Sequence, residues 1–318
     1  MSRQQSLLHR PIFAAVAPTL TVSLPTFGTP PPGGWPGLLD LGRTAEDAGV
    51  DRLVVTDHVV MGRNTDAYVW GRFPTPPEAP WLEPLTVLTG LAAVTERVRL
   101  ATGILIAPLR PAALLAKSVA TLDVLSAGRV DLGVGVGWQR EEYEAEGLRF
   151  EDRGRLLTDT IAACRALWER TPADFASPSV SFTDVFLSPK PAQERLPVWF
   201  GGTLNDRMLR RVVELGDGWI PIMGSTVDVI GEGATRLRKA FADAGRDPAG
   251  LSVQGALPVV RGEDRRPDLA ASVAGVPALV DAGATDVIVH LGAVCRDLAE
   301  AGPVLRTLAE RFAAEVWR

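Results

Sequence analysis

Histidine and cysteine are scarce in this chain, with three and two copies respectively in 318 residues. The two cysteines, Cys164 and Cys295, stand far apart with no C-x-x-C or zinc spacing. That excludes a disulfide framework and fits a reduced, cytoplasmic compartment. With no His-x-His pair either, a metal-hydrolase site has no ligand set, and no metal is expected. A dense Lys/Arg run is also missing, and the net charge is −5, so nucleic acid is not an expected partner. No apolar run approaches the ~18 residues of a membrane span. The opening MSRQQSLLHRPIFAAVA carries a short basic region and an A-x-A triplet (Ala15-Val16-Ala17). Its apolar stretch is shorter than the ~7–15 residues of a signal peptide and prolines flank it, so it reads as a first strand.

What the chain has in quantity is apolar residues, at 46%, together with 31 glycines and 25 prolines. Strand-like and helix-like patterns alternate from end to end. Strands are expected at 12–18, 52–59, 97–107, 129–137, 196–202, 218–223, 251–260 and 285–292. Helices follow each, at about 38–49, 84–96, 112–126, 156–170, 205–216, 228–244, 268–282 and 297–315. One interruption, SPSVSFTDVFLSPKPAQ (177–193), alternates at Val180, Phe182 and Val185 and reads as a hairpin inserted after the fourth unit. Eight βα units allow an open doubly wound sheet or a closed (β/α)8 TIM barrel. Such barrels exceed ~250 residues as one unit, so residues 1–318 are expected to form one α/β domain.

The stretch GRVDLGVGVGW (128–138) favours the barrel. Val130, Leu132, Val134 and Val136 share one strand face, whereas Asp131, Gly133, Gly135 and Gly137 share the other. With the first face against the helices, the glycine face points into the barrel. A dinucleotide fingerprint needs G-x-G-x-x-G at a strand-to-helix turn, and here the third interval is wrong and Trp138 stands where a helix should begin.

Barrel chemistry gathers where strands meet the loops that follow them. The second strand ends in Asp57 and His58. These neighbours face opposite sides, and His58 suits acid/base work because imidazole titrates near neutrality. Gly103, inside the apolar run LATGILIAP, marks a bulge or a close backbone approach. The fifth strand ends in Gly201, Gly202 and Thr203 just before a helix, so free N–H groups and a hydroxyl at a helix N-terminus would suit a phosphate. His290, closing the eighth strand, is expected to be a hydrogen-bonded core histidine. The Trp/Pro-rich segment 62–81 is either a packed loop or a lid.

TDH at the second strand end, LATGILIAPLRPAALLAKSVATLDVLSAGRVDLGVGVGW, and VWFGGT…ELGDGWIP together resemble the luciferase-like monooxygenase superfamily. The similarity runs from about Val16 to Pro221 and looks strongest to the branch that uses the 5-deazaflavin coenzyme F420. It implies a homodimeric, cytoplasmic barrel enzyme that transfers hydride between C5 of F420 and a small organic substrate. A monooxygenase using reduced FMN and a non-catalytic flavin-binding barrel are the alternatives. On matching residues it implies a cis Gly103-Ile104 peptide behind the cofactor ring. Val136, Gly137 and Trp138 would edge that ring, Gly201, Gly202 and Thr203 would hold the phosphate, and Asp57 and His58 would border the reactive centre. Sugar-phosphate dehydrogenases of the family carry a carboxylate where Trp138 stands and a tryptophan where Gly62 stands. Trp138 therefore points to a hydrophobic or aromatic substrate.

Overall fold

The structure, a computed structural model, describes residues 17–316. Eight parallel strands form its centre: β1 (Thr19–Ser23), β2 (Arg52–Val55), β3 (Arg99–Thr102), β4 (Val130–Gly135), β5 (Val198–Gly201), β6 (Gly218–Ile220), β7 (Ser252–Ala256) and β8 (Asp286–His290). They follow one another as β3-β2-β1-β8-β7-β6-β5-β4, and the pairing of Leu100 and Ala101 with Val130 and Asp131 closes the ring. The fold is a (β/α)8 barrel. Around it run α1 (Gly37–Asp47), α2 (Pro84–Val94), α3 (Ala112–Leu125), α4 (Arg153–Glu169), α5 (Asp206–Leu215), α6 (Val227–Asp243), α7 in two pieces (Leu269–Val273 and Val276–Asp281) and α8 (Ala301–Val316).

Three boundaries differ from the sequence reading. The first strand is Thr19–Ser23 rather than 12–18, and residues 12–16 lie outside the described part. TLTVS alternates: Leu20 and Val22 are buried in the core, whereas Thr19 and Thr21 turn inward to the buried Asp286 carboxylate. The expected third strand breaks at Gly103-Ile104 and resumes for only Leu105–Ile106. The inserted hairpin begins earlier than expected, pairing Ala173–Ala176 antiparallel with Ser181–Val185.

The two faces of β4 fall as their alternation requires. Val130, Leu132 and Val134 are fully buried in the layer between barrel and helices. Asp131 points inward at the N-terminal end, where its carboxylate accepts from Arg52 (2.8 Å) and Arg99 (2.6 Å). Arg52 bridges onward to Asp286, which also accepts from Gln254 at 2.8 Å. Burial alone would lower the Arg52 pKa, but Asp286 and Asp131 outweigh it and raise it. The barrel floor is thus ionic and fully paired, as buried charge must be. Above it the ring of Trp199 lies over Gly218, where a Cβ would come within 2.6 Å.

Candidate active site

Past Val55, β2 turns over the C-terminal rim and carries Asp57 and His58 to different surroundings. Asp57 is buried, and its carboxylate accepts from the Ile106 N–H (2.8 Å) and from both terminal nitrogens of Arg110 (2.7 and 3.0 Å). Arg110 also donates to Glu83 at 2.9 Å. Burial alone would lower the Arg110 pKa, but the hydrogen bonds and charges of Asp57 and Glu83 raise it. Asp57 therefore fastens the loop after β2 to the chain leaving β3. Its oxygens are committed there, and none of these hydrogen bonds reaches His58.

The partner of His58 is Glu142. Its Oε2 lies 3.0 Å from His58 Nδ1, while its Oε1 accepts the Val59 N–H at 2.8 Å. Glu142 is fully buried on a short helix, Arg140–Ala145, that follows Trp138. A carboxylate can only accept, so the network assigns the proton to Nδ1 and leaves Nε2 as the free basic atom of the neutral ring. Sequence reasoning missed Glu142. It stands 84 residues from His58, and only the approach of β2 to the β4 exit brings the two together.

Around the imidazole stand Trp81, Phe73 and Trp138, edge-on at ring-centre distances of 4.6, 5.7 and 5.8 Å. The segment 59–81 thus crosses the mouth as a strap. Gly62 fixes one end: its N–H donates to the Gln139 side-chain oxygen (2.8 Å) and its carbonyl accepts from the Gln139 amide (3.2 Å). A Cβ at Gly62 would fall 2.5 Å from the Glu141 side chain, which is why a tryptophan has no room there. At the other end Phe27 stacks on Trp81 at 4.1 Å.

The remaining sequence-named residues line the rim. Gly103, Ile104, Val136, Gly137, Trp138, Gly201 and Gly202 are half-buried at the C-terminal ends of β3, β4 and β5, and Thr203 is exposed. The Gly103-Ile104 peptide is cis. The glycines on β4 and β5 make room for the chain itself. A Cβ on Gly135 or Gly201 would come within 2.7 or 2.6 Å of the Ile104 side chain, and one on Gly133 within 2.0 Å of the Thr102 carbonyl. Gly202 adopts φ +143°, and its N–H donates to the Ile220 carbonyl at 3.0 Å. Its N–H is therefore not free, a correction to the expected phosphate cradle. Beyond Thr203, Asn205 caps α5 by accepting from Met208 N–H (2.9 Å), and Arg236 reaches the Leu204 carbonyl (3.3 Å) and Asp206 (3.1 Å).

His290 is exposed at the end of β8 and makes no hydrogen bond among the described residues, which corrects the core-histidine expectation. Desolvation in the mouth still pushes its pKa below the usual value. Among the described residues, four buried side-chain polar atoms lack a hydrogen bond, and three of them (Thr75 Oγ1, Trp81 Nε1 and Glu141 Oε2) belong to the strap or its seat. Orphans of this kind each cost about 1–3 kcal/mol, so their concentration marks where a polar ligand atom or water is needed. A cavity of about 230 Å³ elsewhere, lined by Arg165, Trp168 and Arg195, does not compete, because those arginines are committed to Asp217.

The family model for luciferase-like monooxygenases matches residues 19–285. The chain belongs to that family. An uncharacterized protein of Mycobacterium tuberculosis is 37% identical over 166 residues, 52% of this chain and 58% of that protein. The chain therefore spans little more than half the length of this relative. Among solved structures, an F420-dependent secondary alcohol dehydrogenase in complex with an F420-acetone adduct superposes with a TM-score of 0.75 at 16% identity, covering 93% of this chain and 99% of the other. The oxygenating constituent of 3,6-diketocamphane monooxygenase from Pseudomonas putida, in complex with FMN, gives 0.70 at 13% identity, covering 94% and 99%. At those identities the shared property is the barrel. Among the described residues no helix is long and apolar enough to cross a membrane.

Proposed function

We propose that the chain is a coenzyme F420-dependent oxidoreductase acting on a small, hydrophobic alcohol or carbonyl compound. The observation that carries this reading is the buried Glu142 carboxylate on His58 Nδ1, which leaves Nε2 for a substrate proton in a setting of aromatic rings.

The residues present fit a flat, anionic cofactor. The half-buried Gly103-Ile104 and Val136-Gly137-Trp138 offer a backbone surface that a ring system can lie against. Thr203, the α5 N-terminus and Arg236 offer a hydroxyl, aligned dipoles and a cation for a phosphate. When bound, the deazaflavin supplies a hydride donor or acceptor at its C5 carbon. His58 Nε2 then takes the hydroxyl proton as an alcohol becomes a carbonyl and returns it in the reverse direction. Glu142 stabilises the imidazolium formed and keeps the ring from rotating. Asp57 and Arg110 hold the rim in place and move no proton. Trp138 and Trp81 keep water from the reacting centre.

Fluorescence titrations with F420 and with FMN side by side test the reading. F420 is expected to bind at least tenfold more tightly. Tighter FMN binding, with oxygen consumption once the flavin is reduced, would instead make this a two-component monooxygenase.

A further inference from the structure

The strap is fastened only at its two ends. Between Arg63 and Ala79, the backbone hydrogen bonds among the described residues stay within the strap: Thr65 to Arg63, Ala67 to Asn64, Tyr68 to Thr65 and Ala79 to Pro76. Its charged residues Arg63, Asp66, Arg72 and Glu78 make no ion pair among the described residues. Two side chains hold its middle down: Tyr68 meets Trp138 at 5.5 Å, and Phe73 reaches more rings. Phe73 touches Trp138 (5.0 Å), Tyr68 (5.4 Å), His58 (5.7 Å) and Trp81 (5.8 Å, nearly parallel). A phenyl ring inserted among four other rings, edge-on to the His58 imidazole, is held by dispersion and apolar burial.

We propose that the slot filled by Phe73 is the ring subsite of the substrate, and that a neutral, ring-bearing ketone or alcohol opens the strap by taking Phe73's place. This rests on the oxidoreductase reading above and adds the substrate's shape and charge. The slot measures a phenyl ring because it holds one. Of the nearby cations, Arg110 is engaged by Asp57 and Glu83 and the unpaired Arg63 and Arg72 are exposed to solvent, so a carboxylate entering the slot would be desolvated without a buried partner. The unpartnered Trp81 Nε1–H lies in the same cluster and needs an acceptor, which a substrate oxygen provides and the Phe73 phenyl does not. Phe73 is therefore an intramolecular competitor that keeps the site dry until a matching ring arrives.

Calorimetric titration of the cofactor-free full chain with acetophenone, acetone and benzoate tests this. Acetophenone is expected to bind at least tenfold more tightly than either of the others. Phe73→Ala, checked for its fold by circular dichroism, should bind acetophenone three- to tenfold more tightly, because the competing ring is gone. Trp138→Ala should bind it at least tenfold more weakly. A looser Phe73→Ala complex, or equal affinity for the three probes, overturns the proposal. A second measurement needs no variant: in the wild type, acetophenone should speed tryptic cleavage after Arg72, and slower or unchanged cleavage would overturn the proposal. Because no cofactor is present, failure here leaves the F420 titration intact, and failure of that titration leaves this subsite standing.

Discussion

At the scale of single residues, the site turns on which carboxylate His58 faces. Along the chain the adjacent acid is Asp57, and geometry gives the role to the distant Glu142. Asp57 is one residue away but satisfies three donors on the β3 side, whereas Glu142 bridges His58 and the Val59 backbone. His58→Ala is expected to slow hydride exchange between F420 and a ketone by about 10²–10⁴, with F420 affinity changed less than threefold. Stopped-flow kinetics beside a binding titration separate the two. Glu142→Gln is the finer probe. The amide has one oxygen and one NH2 where the carboxylate has two acceptors, so with the oxygen kept on Val59 N the NH2 donates to Nδ1, the ring proton moves to Nε2, and the charge-assisted contact is lost. The expected result is a lower melting temperature and a fall in kcat larger than any change in KM. Asp57→Asn should instead destabilise the rim while leaving the pH profile of turnover unchanged.

At the scale of elements, the glycine-spaced β4 explains itself only beside its neighbours. Ile104 is β-branched and stiff at χ1, and its Cγ2 sits where a Cβ on Gly201 would go, its Cδ1 where one on Gly135 would go. Alanine at Gly201 is therefore expected to cost about 1–3 kcal/mol by overpacking, and alanine at Gly135 less, since a terminal methyl yields more easily. The discriminating measurement is a double-mutant cycle by thermal melting. Ile104→Ala should recover most of the loss from Gly201→Ala, giving strongly non-additive values. Additive losses would mean that the clash is elsewhere. The alternation of β4 made its inward glycine face legible from sequence, but not the occupant of the space, because the kinked β3 that fills it is an element pairing on the next strand.

At the scale of the whole molecule, stability is anchored at the end opposite the chemistry. Asp131 joins β2, β3 and β4 through Arg52 and Arg99, and Arg52 extends the link to β8 through Asp286. Burial would raise the Asp131 pKa, but Arg52 and Arg99 override it and hold it below the ordinary carboxylate value. A carboxylate depressed in the folded state stabilises fully above its unfolded pKa of ~3.9, and that contribution is lost as pH falls through the folded value. The melting temperature of the wild type should thus drop steeply below about pH 4. Asp131→Asn leaves two buried guanidiniums short of a counter-charge. It should cost about 3–5 kcal/mol at neutral pH and flatten the acid limb of melting temperature against pH. A variant that melts like the wild type would show that the ionic floor is not what closes the barrel.

The sequence by itself determined the alternation of eight strands with eight helices, the inward and outward faces of β4, the kink at Gly103 and the candidacy of His58. Those properties are local: side-chain period, turn chemistry and residue type act within a few positions. Only the tertiary structure decided that Glu142 rather than Asp57 holds His58, that Ile104 fills the glycine space, that the Gly202 N–H is engaged, and that Phe73 packs among Trp138, Tyr68, His58 and Trp81. Each of these depends on which residues meet across the closed ring, and barrel closure joins positions with no fixed separation along the chain.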